Sequence, residues 1–284
     1  MQSWRHWPRR LGLAALKLVS RDIKIRHHHT GDPLRLNLYT HKGYWYHGRH
    51  REATTMALCR QLIAPENTVY DIGGHIGYLT LFFAQLVGPA GRVHVFEPGE
   101  NNLPYIERNI AGHANVTLVR KGAAAESGKA TIYLESLAGQ NNSLVPEFEG
   151  LSRNAAMADP RAVRVVAREI DVTTIDDYVA KTGAPPDFVK IDVEGFELEV
   201  LRGMARVLRR HRPIVMVEVQ RNQAEVLALL KKAGYRAYSE RGRRLQQKHA
   251  ARLNGANVFA LHAKAHAVQI DRCFTRPRAP SSAP

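Results

Sequence analysis

The chain has 284 residues, 44% of them hydrophobic, enough to bury a full core and too apolar for a disordered or fibrous protein. Two cysteines, Cys59 and Cys273, lie far apart, which excludes a disulfide framework and points to a reducing, cytoplasmic setting. The net charge of +15 is concentrated at the ends: residues 1–51 hold eleven Lys/Arg against two acids, and residues 241–284 nine against one. The stretch between them is close to neutral, which argues against a basic groove for nucleic acid and leaves the ends for weak contacts with polyanions or an anionic membrane surface.

This charge distribution divides the chain into a basic N-terminal extension over 1–51, a near-neutral main body over 52–265 and a basic tail over 266–284 expected to be disordered. No segment is long enough to span a membrane. The longest apolar run, Leu11 to Val19, is nine residues and contains Lys17, against the ~20 needed. Trp4, Trp7 and Leu11 alternate with Arg5, Arg9 and Arg10, a pattern that suits an interfacial helix, an import presequence, or a helix packed on the body.

From Asn67 the elements follow regularly. Thr68 to Ile72 reads as a buried strand, Tyr78 to Val87 as a buried helix stopped by Gly88-Pro89, and Arg92 to Phe96 as a second strand. A helix over Asn101 to Ala111 and a strand over Val116 to Val119 come next. Lys129 to Leu134 is an extra strand, and the polar insertion at about 136–165 is a candidate substrate lid. The series continues with an extended stretch, Val163 to Ile170, then a short helix, Thr174 to Lys181, and a strand, Asp187 to Ile191. A single helix over Leu198 to Arg210, a strand over Pro213 to Val219 and a helix over Gln223 to Lys232 follow. Tyr235 to Tyr238 and Asn257 to His262 form a final antiparallel pair. The alternation predicts a Rossmann-like, doubly wound, mostly parallel α/β sheet with an antiparallel C-terminal strand, whose ligands bind at the carboxyl ends of the strands.

The first of those ends is Asp71-Ile72-Gly73-Gly74-His75-Ile76-Gly77. Glycines permit the sharp turn and let a ligand lie against the backbone. Glu97 tips the second strand, where a carboxylate can accept from both hydroxyls of a ribose. The glycine spacing is not that of a dinucleotide fingerprint, and Asp71 would repel a diphosphate while suiting the ammonium of a methionine moiety. The expected cofactor is therefore S-adenosylmethionine, bound by Asp71, Gly73, Gly74, His75, Gly77 and Glu97.

In chain order, Val69 to Gly77, Val95-Phe96-Glu97-Pro98, Asn109 and Phe188 to Glu197 resemble an FkbM-type methyltransferase, and Pro213 to Glu218 is similar to that family's following strand. The resemblance covers about residues 52–220. It implies a class I methyltransferase fold, S-adenosylmethionine as donor, and O-methylation of sugars, polyketides or related natural products. His75 stands where the family pattern has asparagine.

Methyl transfer to a hydroxyl needs an oriented acceptor and a group to take its proton. Asp192 and Glu194, at a strand end, are the candidate catalytic bases. Two other roles stay open: Glu194 capping the next helix or pairing with Lys190, and a divalent cation held by Asp192, Glu194 and Glu218. His27-His28-His29 reads as a solvated basic segment. His41, His47 and His50 lie near Tyr44, Trp45 and Tyr46 in the sequence, with no ligand spacing. The expected partner is a small-molecule or glycan acceptor, with no specific nucleic acid. The competing readings are a nucleic-acid methyltransferase, disfavoured by Asp192-Val193-Glu194-Gly195 where an Asn/Asp-Pro-Pro-aromatic stretch belongs, and a non-catalytic nucleoside-binding module.

Overall fold

A computed structural model of the chain describes residues 16–135, 139–146 and 165–275. Most of the N-terminal amphipathic pattern, most of the 136–165 insertion and residues 276–284 lie outside the described residues. Residues 267–275, expected as part of a disordered tail, are instead helical, because Ile270, Cys273 and Phe274 bury themselves in the core.

The strands are β1 (Asp22–Arg26), β2 (Pro33–Asn37), β3 (Thr68–Ile72), β4 (Arg92–Phe96), β5 (Val116–Val119), β6 (Gly122–Ala123), β7 (Gly128–Glu135), β8 (Val165–Thr173), β9 (Phe188–Ile191), β10 (Ile214–Val219), β11 (Tyr235–Ser239), β12 (Arg244–Leu245) and β13 (Ala256–His262). Eight of them form one sheet in the order β12-β11-β13-β10-β9-β3-β4-β5. From β10 to β5 the neighbours run parallel, and β13 enters antiparallel between β10 and β11. This is the doubly wound sheet with an antiparallel C-terminal strand that the alternation predicts. The order reverses between β3 and β9, and the crevice at that switch point opens at the strands' carboxyl ends.

Period-two alternation sends each strand's residues to two cores. Val69, Val93, Phe188, Ile214 and Met216 pack on one face, and Tyr70, Ile72, Val189, Ile191, Val215 and Val217 on the other. Helices α1 (Lys42–Tyr46), α2 (Ala53–Leu62) and α3 (Tyr78–Val87), the last starting at Gly77, pack on the first face. Helix α4 (Leu103–Ile110) lies beside α3. The second face is covered by α5 (Ile175–Thr182), α6 (Glu197–Arg202), α7 (Ala205–Arg210) and α8 (Gln223–Lys232). The Thr174 hydroxyl caps α5 by accepting from the Asp177 N–H at 2.9 Å.

The single helix expected over Leu198 to Arg210 is two. A Cβ at Gly203 would stand 1.9 Å from the Ala124 carbonyl oxygen, so the chain touches the β6 segment there and breaks before resuming as α7. The extra strand β7 does not join the main sheet; it pairs with β8, which also pairs with β6, in a separate three-stranded sheet.

Within the segment before residue 52, the hairpin and the turns that follow it are built into the body. In the β1–β2 hairpin Leu34 and Leu36 are fully buried in the first core. The Asn109 amide holds the hairpin, accepting from the Arg35 N–H at 2.7 Å and donating to the Arg35 and Ile76 carbonyls at 3.0 and 2.7 Å. His27 is not solvated, contrary to expectation. It is buried, its Nδ1 accepts from the His29 and Thr30 N–H groups, and its Nε2 lies 3.1 Å from the Tyr78 carbonyl oxygen. Burial lowers its pKa to about 4, so the ring is a neutral turn-closing group. Among the described residues no helix is long and apolar enough to cross a membrane.

Candidate active site

A cavity opens at the carboxyl ends of β3, β4, β9 and β10, walled by Gly73, His75, Glu97, Asp192, Glu194 and Glu218. The short helix α1 (Lys42–Tyr46) and the turn after it add Tyr44, Arg51 and Glu52. Phe96, Ala123, Ile132 and Leu144 give it an apolar part, and residues 139–142 of the insertion close over it.

The glycine turn is held against the β4 end. The Gly73 and Gly74 N–H groups both donate to the Phe96 carbonyl, at 2.9 and 3.1 Å. Gly73 has φ +83°, and a Cβ there would lie 1.8 Å from the Asp192 carbonyl oxygen, so only glycine lets the β3 and β9 ends approach. Gly74 and Gly77 do not line the cavity. A Cβ at Gly74 would meet Val95 Cγ2 at 2.1 Å, and Gly77 sits 3.2 Å from Ile106 by the same measure, so both make room for packing.

Glu97 faces the cavity and is 4% exposed. Its carboxylate accepts from the His75 N–H at 2.8 Å, the Gly99 N–H at 2.9 Å and the Asn102 amide at 3.1 Å. Burial pushes its pKa up to about 7, against the pull of those donors. His75, at φ +51°, stacks on Tyr44, whose hydroxyl lies 2.7 Å from His75 Nδ1.

Asp71 is placed differently from the expected ligand contact. It is fully buried behind the turn and is not on the cavity wall. Its Oδ2 accepts from the Thr80 hydroxyl at 2.6 Å, and its Oδ1 lies 3.2 Å from Lys190 Nζ. The sheet register explains this pair: Asp71 on β3 is the cross-strand partner of Lys190 on β9, and alternation puts both on the same face. Lys190 Nζ also donates to the Gly73 carbonyl at 2.6 Å and stands 3.6 Å from Asp192 Oδ2. Burial alone would lower the Lys190 pKa, but Asp71 and Asp192 more than offset it and the value is raised. Lys190 therefore ties the glycine turn to Asp192. It does not ion-pair with Glu194.

The opposite wall is acidic. Glu194, at φ +51°, has its pKa raised well above the carboxylate range by burial and by the neighbouring Asp192, Glu218 and Glu197 charges. Glu218 rises to about 9 for the same first cause, with Asp192 and Glu52 adding to it. Glu52, at φ +54°, is raised by burial. Glu197 is fully buried behind the wall, accepts from the Gly195 N–H at 2.7 Å, and caps the turn that carries Glu194. Among the described residues, three of the six non-glycine residues with positive φ thus line this cavity, a clustering of backbone strain expected at a functional site. Among the described residues no group of three His, Cys, Asp or Glu side chains is arranged to hold a metal ion, and this includes Asp192, Glu194 and Glu218.

The profile of the methyltransferase FkbM domain matches residues 71–237, from Asp71 at the glycine turn to β11. The chain belongs to the FkbM methyltransferase family. A curated protein of similar sequence is methyltransferase sdnD of Sordaria araneosa, 28% identical over 156 residues, 48% of this chain. The match spans 60% of that relative's length. Among solved structures, methyltransferase FkbM of Methylobacillus flagellatus is 19% identical, with a TM-score of 0.44, over 69% of this chain and 43% of that one. An S-adenosylmethionine-dependent O-methyltransferase of Thermotoga maritima is 12% identical, with a TM-score of 0.43, over 85% of this chain and 77% of that one.

The matched region contains the glycine turn, Glu97 and Asp192 to Glu194. Tyr44, Arg51 and Glu52 lie before the matched region, the first two in the stretch read from sequence as a basic extension. No local spacing marks them, because the fold of α1 and its turn is what brings them to the cavity.

Proposed function

We propose that the protein is an S-adenosylmethionine-dependent methyltransferase acting on a hydroxyl of a sugar, a lipid-linked glycan or a small natural product. The observation that carries this reading is one cavity with a buried, hydrogen-bonded Glu97 at the β4 end and Asp192 at the β9 end.

The residues present suit the cofactor. Glu97 Oε2 takes a single N–H and presents acceptor capacity to ribose hydroxyls, and Phe96, Ala123, Ile132 and Leu144 form an apolar slot for a base. The Asp192 Oδ1 atom is buried without a hydrogen-bond partner and accepts from whatever donor enters. When bound, S-adenosylmethionine supplies an already activated sulfonium methyl, so the protein has only to position the acceptor and manage its proton. Of Asp192, Glu194 and Glu218, Asp192 alone has an ion-pair partner among the described residues, Lys190. Burial and the neighbouring Asp192 charge raise the Glu194 pKa and push that of Glu218 up to about 9, so Glu218 is protonated near neutral pH. Asp192 is therefore the group that accepts the hydroxyl proton, at the strand tip facing the cleft.

The test pairs calorimetry with turnover. Wild-type protein should bind S-adenosylhomocysteine with a 1:1 isotherm and transfer labelled methyl from S-adenosylmethionine to a component of extracted glycans, lipids or small metabolites. No binding in the calorimeter would end the cofactor reading, and binding without transfer to any fraction would leave only a nucleoside-binding module.

A further inference from the structure

S-adenosylmethionine carries two opposite charges at its amino-acid end. The acidic wall matches the ammonium, but the carboxylate needs a cation. Among the described residues the cationic side chains on the cavity wall are Arg51 and Lys121. Lys121 is exposed at the far end, beside Gly122 and Ala123 and after β5. Arg51 stands with Glu52 in the turn after α1, on the wall that also contains Gly73 and His75.

Arg51 is seated against Tyr44 and feels the neighbouring Glu52 charge, but among the described residues no salt bridge holds it. Its guanidinium carbon lies 4.1 Å from the Tyr44 ring centroid, a cation–π contact that fixes the plane of the group. Gly43 leaves it room: a Cβ there would be 3.1 Å from Arg51 Nη1. Its Nε is buried and has no hydrogen-bond acceptor, and no carboxylate among the described residues lies within ion-pair distance. A guanidinium fixed by stacking, with a buried donor unsatisfied at the wall of a ligand cavity, fits the two oxygens of a carboxylate.

We propose that Arg51, outside the region matched by the family profile, binds the methionyl carboxylate of the cofactor. The proposal rests on the cofactor reading above. It makes the N-terminal segment part of the site: Tyr44 stacks on His75 and on Arg51, so one aromatic ring couples the glycine turn to the carboxylate contact.

Calorimetry with two probes tests it. S-adenosylhomocysteine has the carboxylate, and 5′-methylthioadenosine keeps the adenosine and lacks the amino acid. Arg51→Gln should weaken S-adenosylhomocysteine about 10- to 100-fold, the range for hydrogen bonds to a charged group, and leave 5′-methylthioadenosine within about twofold. Arg51→Lys should fall between, because it keeps the charge and loses the planar fork. Retained 5′-methylthioadenosine binding also reports that each variant is folded. Equal losses for the two probes, or no loss for either, would overturn the assignment; in the second case a raised acceptor KM would give Arg51 to the acceptor instead. Wild-type protein that binds neither probe would defeat the cofactor reading itself, a result distinct from either failure.

Discussion

On the β4 side of the cavity, Glu97 is met by three N–H groups; on the β9–β10 side, Glu194 and Glu218 crowd around Asp192 with few donors between them. Both walls present carboxylates at strand ends, buried on the first and half-buried on the second, yet the first is a preformed hydrogen-bond cage and the second an unbalanced charge. A cage built before the ligand arrives gives orientation at little reorganisation cost. The acidic wall is held together by protons and by one lysine. A ligand cation and an acceptor hydroxyl complete it, so its chemistry responds to pH and to occupancy. The cage should therefore control affinity, and the acidic wall turnover and pH dependence.

The sharpest way to break the acidic wall is Asp192→Asn. Turnover should fall ~10²–10⁴, the usual worth of a positioned base, while calorimetric affinity for S-adenosylhomocysteine changes only a few-fold. Full turnover in this variant would remove the base from Asp192.

Lys190→Met attacks the strut between the walls. It leaves Asp71 buried without its counter-charge, which should cost about 3–5 kcal/mol in urea unfolding. Adding Asp71→Asn should recover part of that loss, since the stranded charge is then gone. A double variant no more stable than Lys190→Met would show that packing, not charge, sets the effect.

Glu97→Gln probes the cage. The shape is kept and the charge removed, so S-adenosylhomocysteine binding should weaken by roughly 1–3 kcal/mol with turnover at saturating donor reduced far less. A larger effect on turnover than on binding would reverse the division of labour between the walls.

The last comparison is of stability against pH. Glu218 has a folded pKa of about 9, above its ordinary 4.5, so the folded state binds the extra proton in that interval. Stability from this group is fully present below about pH 4.5 and is lost as pH rises through about 9. Glu218→Gln cannot ionise, so its Tm relative to wild type should be higher at pH 8.5 than at pH 5.5. The same Tm difference at both pH values would place Glu218 outside this charge balance.

Much of this was legible in the amino-acid order. Alternation along short apolar runs marked β3, β4, β9 and β10, and the acid-glycine turn and Glu97 marked where a ligand enters, because period-two burial and glycine turns are local properties. The same alternation already places Asp71, Lys190, Asp192 and Glu218 on one face of their strands. It cannot say which strands are neighbours. Only the register of β3 against β9 turns Asp71 from a ligand contact into the buried partner of Lys190.

Three features were decided by tertiary structure alone. The helix over Leu198 to Arg210 breaks at Gly203 because that residue meets the Ala124 carbonyl, a contact between segments some eighty positions apart. The β1–β2 hairpin enters the core through Leu34 and Leu36, although its charge resembles that of a solvated arm. Tyr44, Arg51 and Glu52 reach the cavity only because α1 and its turn pack beside the glycine turn. Sequence determines what each short segment can do by itself, through periodicity, turn chemistry and charge. Which segments meet depends on burial summed over the whole chain, and that sum set the partner of Asp71 and the neighbours of Arg51.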